Sequence, residues 1–431
     1  MAETAEYPRP ESSPKPPRGL GWWLTKLSAY NFATSAKWFI LLIAVLPGQV
    51  EKIVPQGEKN SSWGLVFGLG AIWAILGPSL FGYWSDRVQH RRTFVLYGAA
   101  LTLVALGVLA TANSLVTLAI GYLMLQISDD VGTGPYGAVI PELVAKPFRG
   151  LASGVLNLAT LVSHIFIAVA ALAVGGSPTI VHGTLAVITL LGAVISYKAM
   201  SAERQIPWSP QPHREPFLTG LVKGWLQPWR RRDFVWVWVT RFLVALGIYL
   251  VQPYLKFYLT DAFDSYALFV VEVPSASMAT TVIALTISLF GMLSATYAGR
   301  ASDRIGRKSV MYVSGAVMAA ALVAFLLAPN FSLLWVCAAL FGVAYGAYLS
   351  AAMALAVDVL PDESTYGKDM GVWQMSTSST QILAGATGLI VDAGNRSAPL
   401  MGYRISFGLA AFIFVLSAAL VSLAVSDSQP A

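Results

Sequence analysis

Twelve apolar runs dominate the chain, and each is long enough to cross a bilayer, which takes roughly 20 residues. They are 24–49, 63–83, 93–111, 115–138, 150–175, 180–200, 234–257, 277–297, 309–328, 332–357, 370–391 and 403–425. Runs of this length read as membrane-crossing helices, so the expected fold is an all-α membrane protein with twelve transmembrane helices. Composition agrees: 56% of residues are hydrophobic and 12% charged, about half the charged share of a soluble domain. A soluble globular enzyme, a disordered chain and a nucleic-acid-binding domain are thereby excluded. The net charge of +6 does not indicate nucleic acid, because the basic residues are scattered among apolar runs. Cys337 is the single cysteine, which excludes an internal disulfide and a Cys-based metal site. It lies in an apolar run and reads as a small core residue.

The first 20 residues are polar and hold Pro8, Pro10, Pro14, Pro16 and Pro17, which reads as a disordered tail without a cleavable signal. Orientation follows from the basic residues. With the N-terminus in the cytoplasm, 21 of the 28 Lys and Arg fall on the cytoplasmic side and 5 outside, while Lys37 and Arg241 lie within spans. Both termini are therefore expected in the cytoplasm of a multi-pass protein of the cell membrane. The expected organisation is a tail over 1–20, a six-helix bundle over 21–200, a linker over 201–233, a second bundle over 234–426 and a tail over 427–431. In the linker Phe217, Leu218, Leu221, Val222, Trp225, Leu226 and Trp229 recur at helical spacing beside Lys223 and Arg230 to Arg232, as in a short interfacial helix.

The chain repeats itself. Between spans two and three it reads GYWSDRVQHRR, Gly82 to Arg92, and between spans eight and nine GRASDRIGRK, Gly299 to Lys308. Both match G-x-x-x-D-R followed by basic residues, and Asp86 and Asp303 stand 217 residues apart. Two six-span halves follow. An even number of spans per half makes them parallel repeats about an axis along the membrane normal.

With the paired loops, twelve spans and long linker, the chain resembles the major facilitator superfamily. The first loop departs from the pattern, with Gln89 where the second has Gly306. More finely, LGPSLFGYWSDR (Leu76 to Arg87) and GPYGAVIPELV (Gly134 to Val144) are similar to sucrose/proton symporters, and the second also to glycoside–pentoside–hexuronide symporters. Sodium-coupled members carry acids in span two; here Gly77 and Pro78 occupy that region, which leaves protons. The resemblance implies two six-helix bundles related by a pseudo-two-fold axis. It also implies a cytoplasmic latch. The loop acids Asp86 and Asp303 would meet the dipoles of spans eleven and five, and Arg87 and Arg304 would meet Glu142 and Asp358. Gly82, Gly299, Arg91 and Arg307 belong to the same loops.

Ionisable residues in mid-membrane are costly and face the bundle interior. Span four holds Asp129 and Asp130, with Tyr122, Gln126, Asp129 and Thr133 on one face. Asp130 lies about 100° further round, so Asp129 is the better centred. Span one holds Lys37 with Tyr30 and Thr34 on one face. The resemblance puts spans one and four on the central cavity, within reach of each other. A Lys–Asp pair there is a proton switch in principle, since protonating the acid breaks it; a snorkelling or merely neutralising Lys37 is the alternative. His164, with Ser153, Asn157 and Thr160 on span five, is a further relay candidate. Polar stripes on span seven (Arg241, Gln252) and span eleven (Gln374, Ser378, Gln381), with Tyr345, Tyr348 and Trp373, suit a polyhydroxylated or mixed polar ligand, or else glue helices together.

No phosphate-binding G-x-x-x-x-G-K-[ST] loop occurs and the four His form no metal cluster, so no cofactor is expected. The expected function is secondary active transport of a small organic solute by alternating access, proton-coupled, with a sugar or glycoside preferred. Proton-coupled efflux of amphipathic drugs, and a non-transporting receptor or assembly factor of the same fold, are the alternatives; an enzyme is not expected. Partners are the solute, protons and the lipid bilayer, without nucleic acid, and the protein is expected to be a monomer.

Overall fold

The computed structural model describes residues 19–424 apart from 89, 140–142, 145–147, 175–176, 202–218, 220–225, 227 and 360–365. Twelve long helices carry the chain: α1 (Leu20–Ile53), α2 (Lys59–Val88), α3 (Arg91–Ala110), α4 (Leu115–Tyr136), α5 (Arg149–Ala173), α6 (Pro178–Ala199), α7 (Arg232–Ala262), α8 (Ala276–Ile305), α9 (Arg307–Leu326), α10 (Phe331–Val359), α11 (Tyr366–Ser397) and α12 (Met401–Ala424). They coincide with the twelve apolar runs. Half of them run past these at both ends, because a helix does not stop at the edge of the hydrocarbon. Eleven are long and apolar enough to cross a membrane on their own account. The twelfth, α11, is diluted by the polar stretch from Gln374 to Gln381.

Two helices are broken where proline removes a backbone donor. In α1 a π-helical turn, Leu41–Val45, precedes Pro47, a widening that accommodates the missing bond. In α7 the break is the 3-10 turn Gln252–Tyr254 around Pro253. A single glycine in the left-handed region, Gly306 at φ 90°, turns α8 into α9. Between α7 and α8 a two-residue hairpin pairs Ala267–Leu268 with Val271–Glu272, which the sequence pattern did not announce.

An even number of helices puts the start of α1 and the end of α12 on one side. At the opposite end, which the charge asymmetry reads as the outer face, the two halves are zipped together along α2 and α11. A Cβ on Gly64 would stand 2.1 Å from the Gly385 oxygen, and one on Gly388 would stand 2.3 Å from the Asn60 oxygen. Only glycine permits that approach. The linker helix expected over 201–233 lies outside the described residues apart from a few positions and the turn Pro228–Arg230.

Candidate functional site

Lys37 and Asp129 form a buried ion pair between α1 and α4, with side chains 1% and 7% exposed. The other carboxylate oxygen accepts a hydrogen bond from Trp38 Nε1 at 2.7 Å. Both oxygens of Asp129 are thus engaged by consecutive residues of α1. Asp130, equally buried, is held differently. Gln126 is within reach of its carboxylate, while its Oδ2 has no hydrogen-bond partner and lies against Gly77 of α2. A Cβ there would come within 2.2 Å of that oxygen, so the glycine is what leaves room for the acid. Trp73 Nε1, also without a partner, borders the same spot. One lysine faces two carboxyl groups, so the cluster carries an excess negative charge when both acids are ionised and becomes neutral on taking one proton.

Beside this cluster lies a cavity of about 470 Å³, within the range of small-molecule sites. One wall is the α1 row Thr34, Ser35, Trp38, Phe39, Leu42 and Ile43, with His164 of α5. The other walls come from α7, α8, α9, α10 and α12, and they are dominated by Ile283, Ile287, Leu322, Phe325, Phe341 and Phe414. Tyr249, Gln252, Ser288 and Tyr345 supply its polar points on that side. Trp38 belongs to both features: it lines the cavity and its N–H holds Asp129.

With twelve helices in two halves around such a centre, the comparisons fall in line. The sequence matches the Major Facilitator Superfamily over residues 27–287 and 237–431. The chain belongs to the Major Facilitator Superfamily. It is similar over 189 residues, at 30% identity, to the multidrug resistance protein MdtG of Proteus mirabilis (strain HI4320), a match that spans 43% of either chain. In structure it is similar to the nucleoside transporter NupG (TM-score 0.65, 14% identity, 94% of this chain and 98% of that one). It is also similar to a D-xylose-proton symporter (TM-score 0.69, 13% identity, 95% and 98%). At such identities the structures speak for the fold alone.

Within that superfamily fold, the sequence-derived cavity residues divide. Thr34, Gln252 and Tyr345 line the cavity, and Gln381 donates to the Tyr249 hydroxyl at 3.1 Å. Tyr30 does not line it: its ring packs on Tyr136 at 5.4 Å and its hydroxyl fills the space over Gly132. Gln126 is turned to Asp130. Asn157 is exposed, because α5 uses Thr160 for its contact with α1, accepting from Asn31 Nδ2 at 2.9 Å. Ser378 is half-buried and off the cavity wall. Arg241 also lies off it, its guanidinium 3.5 Å from the Trp373 ring centroid and its Nε 3.3 Å from the Thr377 hydroxyl. The side chain of Gln374 lies outside the described residues.

His164 is not part of the Lys37–Asp129–Asp130 cluster. It stacks on Phe39 at 4.2 Å, and its Nδ1 has no partner. Of the latch residues, Glu142 and the side chains of Asp86, Arg87, Asp303 and Asp358 lie outside the described residues, and Gly299 is described only as part of α8. A Cβ on Gly82 would stand 3.8 Å from the Gly134 oxygen, Arg91 donates to Ser85 Oγ at 3.1 Å, Arg304 is exposed and Arg307 is half-buried.

Sequence reasoning missed a set of contacts at the end of the bundle opposite the start of α1. Asp392 near the end of α11 accepts from the Ser61 backbone N–H at 2.7 Å and from Asn60 Nδ2 at 2.8 Å. A carboxylate from one half thereby caps the first helix turn of the other, where unpaired N–H groups and the helix dipole favour an anion. Around it, Glu51 pairs with Lys256, and Lys59 pairs with Asp261 at 2.6 Å. Tyr403 donates to Asp261 at 2.7 Å. The signal was present as charges just beyond the apolar runs, but nothing in their spacing tells which would meet across the halves.

Proposed function

We propose that this protein is a proton-coupled secondary transporter that moves a small organic solute with a substantial apolar part by alternating access. The observation that carries the proposal is the double role of Trp38. A solute in the cavity touches its ring, and its N–H is one of the two groups that hold Asp129. Taking a proton on Asp129, with Asp130 as the neighbouring acceptor, would release Lys37 and Trp38 together and so change the wall that the solute meets. The cost of keeping three ionisable groups in mid-membrane argues against the receptor or assembly-factor reading.

The cavity lining favours an alkyl or aryl glycoside, or an amphipathic drug, over a free sugar. A free sugar would leave hydroxyl groups unpaired against Ile283, Leu322 and the phenylalanines, and each buried unpaired polar group costs about 1–3 kcal/mol. The name of the MdtG relative is consistent with the drug reading. In the same proposal the protein works as a monomer in the cell membrane with both termini in the cytoplasm.

A thermal-shift panel of sugars, glycosides and cationic amphiphiles, followed by flux in proteoliposomes with the best binder, tests the reading. A ligand at 100 times its Kd raises stability by about 2.7 kcal/mol. Binding followed by transport that ignores an imposed pH gradient would refute proton coupling.

A further inference from the structure

Protein interiors contain few voids larger than a water molecule, yet buried side chains of the C-terminal half surround much of the 470 Å³ cavity. Leu322, Phe325 and Phe414 are at most 6% exposed and line it all the same. They sit on α9 and α12, which pack against α10 and α7. The cavity therefore does not stop at the interface between the halves but reaches into the C-terminal bundle. Gly247 of α7 borders it, with a Cβ position only 2.5 Å from the Phe414 ring, so any side chain there would press on this aromatic wall. The hydrogen-bonding groups on the opposite side, Thr34, Ser35 and His164, are neutral or nearly so in kind, whereas the deeper end is hydrocarbon and aromatic. A dry apolar chamber of this kind takes apolar ligands.

We infer that the C-terminal bundle holds a tail-binding chamber, and that the substrate is an uncharged amphiphile. Its hydrogen-bonding head rests against Thr34, Ser35 and His164, and its alkyl or aryl tail lies among Leu322, Phe325 and Phe414. This deepens the transport reading and rests on it for the word substrate; the binding claim stands separately.

The native cysteine supplies the test, because Cys337 lines the cavity. Purified full-length protein in nanodiscs is alkylated with a maleimide in the presence of methyl, butyl, hexyl, octyl and decyl β-glucosides. The head is constant and only the tail changes. Each methylene that enters the chamber is expected to tighten protection of Cys337 about fourfold, counted on the free aqueous concentration. The gain should stop once the chamber is full. Ala284→Phe, which places a ring in the wall, should move that stopping point to shorter tails. Leu327→Cys in a Cys337→Ala background reports an exposed position off the cavity wall and should show no stopping point.

Equal protection by methyl and decyl glucoside overturns the chamber, and so does a gain that never levels off in wild type or levels off equally in Ala284→Phe. Should Ala284→Phe fail to fold, the wild-type series alone decides between these outcomes. Proton coupling is judged separately by gradient-driven flux. A tail-length break without gradient response sinks the proton-coupling reading and leaves the chamber; gradient-driven flux without a break does the reverse.

Discussion

Each half of this transporter carries a cation well inside a membrane helix, Lys37 in one and Arg241 in the other, and the two are held in different ways. Lys37 in α1 is met by a carboxylate, whereas Arg241 in α7 lies on the face of Trp373 beside the Thr377 hydroxyl. The chemistry of the side chains fits the difference. An ammonium is a compact charge that needs a counter-charge or water, while a planar guanidinium stacks on a ring. The consequence is functional. A carboxylate can take a proton and let its lysine go, and an aromatic ring cannot. At the repeat spacing of 217 residues, Asp129 corresponds to Gly346, and there α10 touches α8 backbone to backbone: a Cβ would stand 1.8 Å from the Gly291 oxygen. The N-terminal half has charge where the C-terminal half has close packing. In the proposal the apolar chamber lies on the second side and the proton switch on the first.

The sharpest way to break this contrast is to remove Lys37. Lys37→Met strands Asp129 in a buried site and should destabilise the protein by about 3–5 kcal/mol, whereas Lys37→Met with Asp129→Leu should regain most of it. Thermal unfolding of the three proteins checks this; additive losses would show that the two residues do not form one unit. Next is Trp38→Phe, which keeps an aromatic wall and deletes one hydrogen bond to a charged group, worth about 1.5–3 kcal/mol. It should retain ligand binding while lowering the response of transport to a pH gradient roughly tenfold or more. Unchanged coupling would remove Trp38 as the link.

At the outer end, Asp392→Ala deletes a helix cap that bridges the halves. A loss of about 1 kcal/mol should move the population about fivefold toward outer opening, read as faster labelling of a cysteine at position 42 from the outer side. No change would mean that the glycine seam alone closes that end. The smallest effect is expected at Arg241→Lys. Stacking on Trp373 is worth about 0.5–2 kcal/mol, so a modest drop in melting temperature and no change in coupling should follow. A loss of coupling there as large as at Trp38 would erase the distinction between the two cations.

Much of this was legible in the sequence, for physical reasons. The twelve spans were readable because a bilayer imposes a length, and Gly82–Arg92 and Gly299–Lys308 repeat a pattern that marks the two halves. Lys37 and Asp129 could be singled out because charge in mid-membrane is rare. Helical phase placed Asp129 inward, yet it could not say that Trp38 would take the second oxygen, nor that Gly77 would make room for Asp130. Asn157 lies exposed off the described cavity wall while Thr160 of the same stripe bonds Asn31, and in sequence a polar stripe looks the same whether it faces a cavity or glues helices. The chamber was invisible: Leu322, Phe325 and Phe414 are indistinguishable in sequence from ordinary core. The outer cap by Asp392 depends on a contact between residues more than 300 positions apart.

The central claim is that the Lys37–Asp129–Asp130 cluster carries the coupling proton. It is tested most directly in proteoliposomes that contain a pH-sensing dye, given the best-binding solute of the thermal-shift panel. Wild-type protein should change the internal pH as solute crosses. Asp129→Asn should abolish that change yet sustain exchange of labelled for unlabelled solute, because the cavity still closes around its ligand, and Asp130→Asn should have the milder effect. If both variants move protons with solute as the wild type does, the cluster is not the proton site and the account fails.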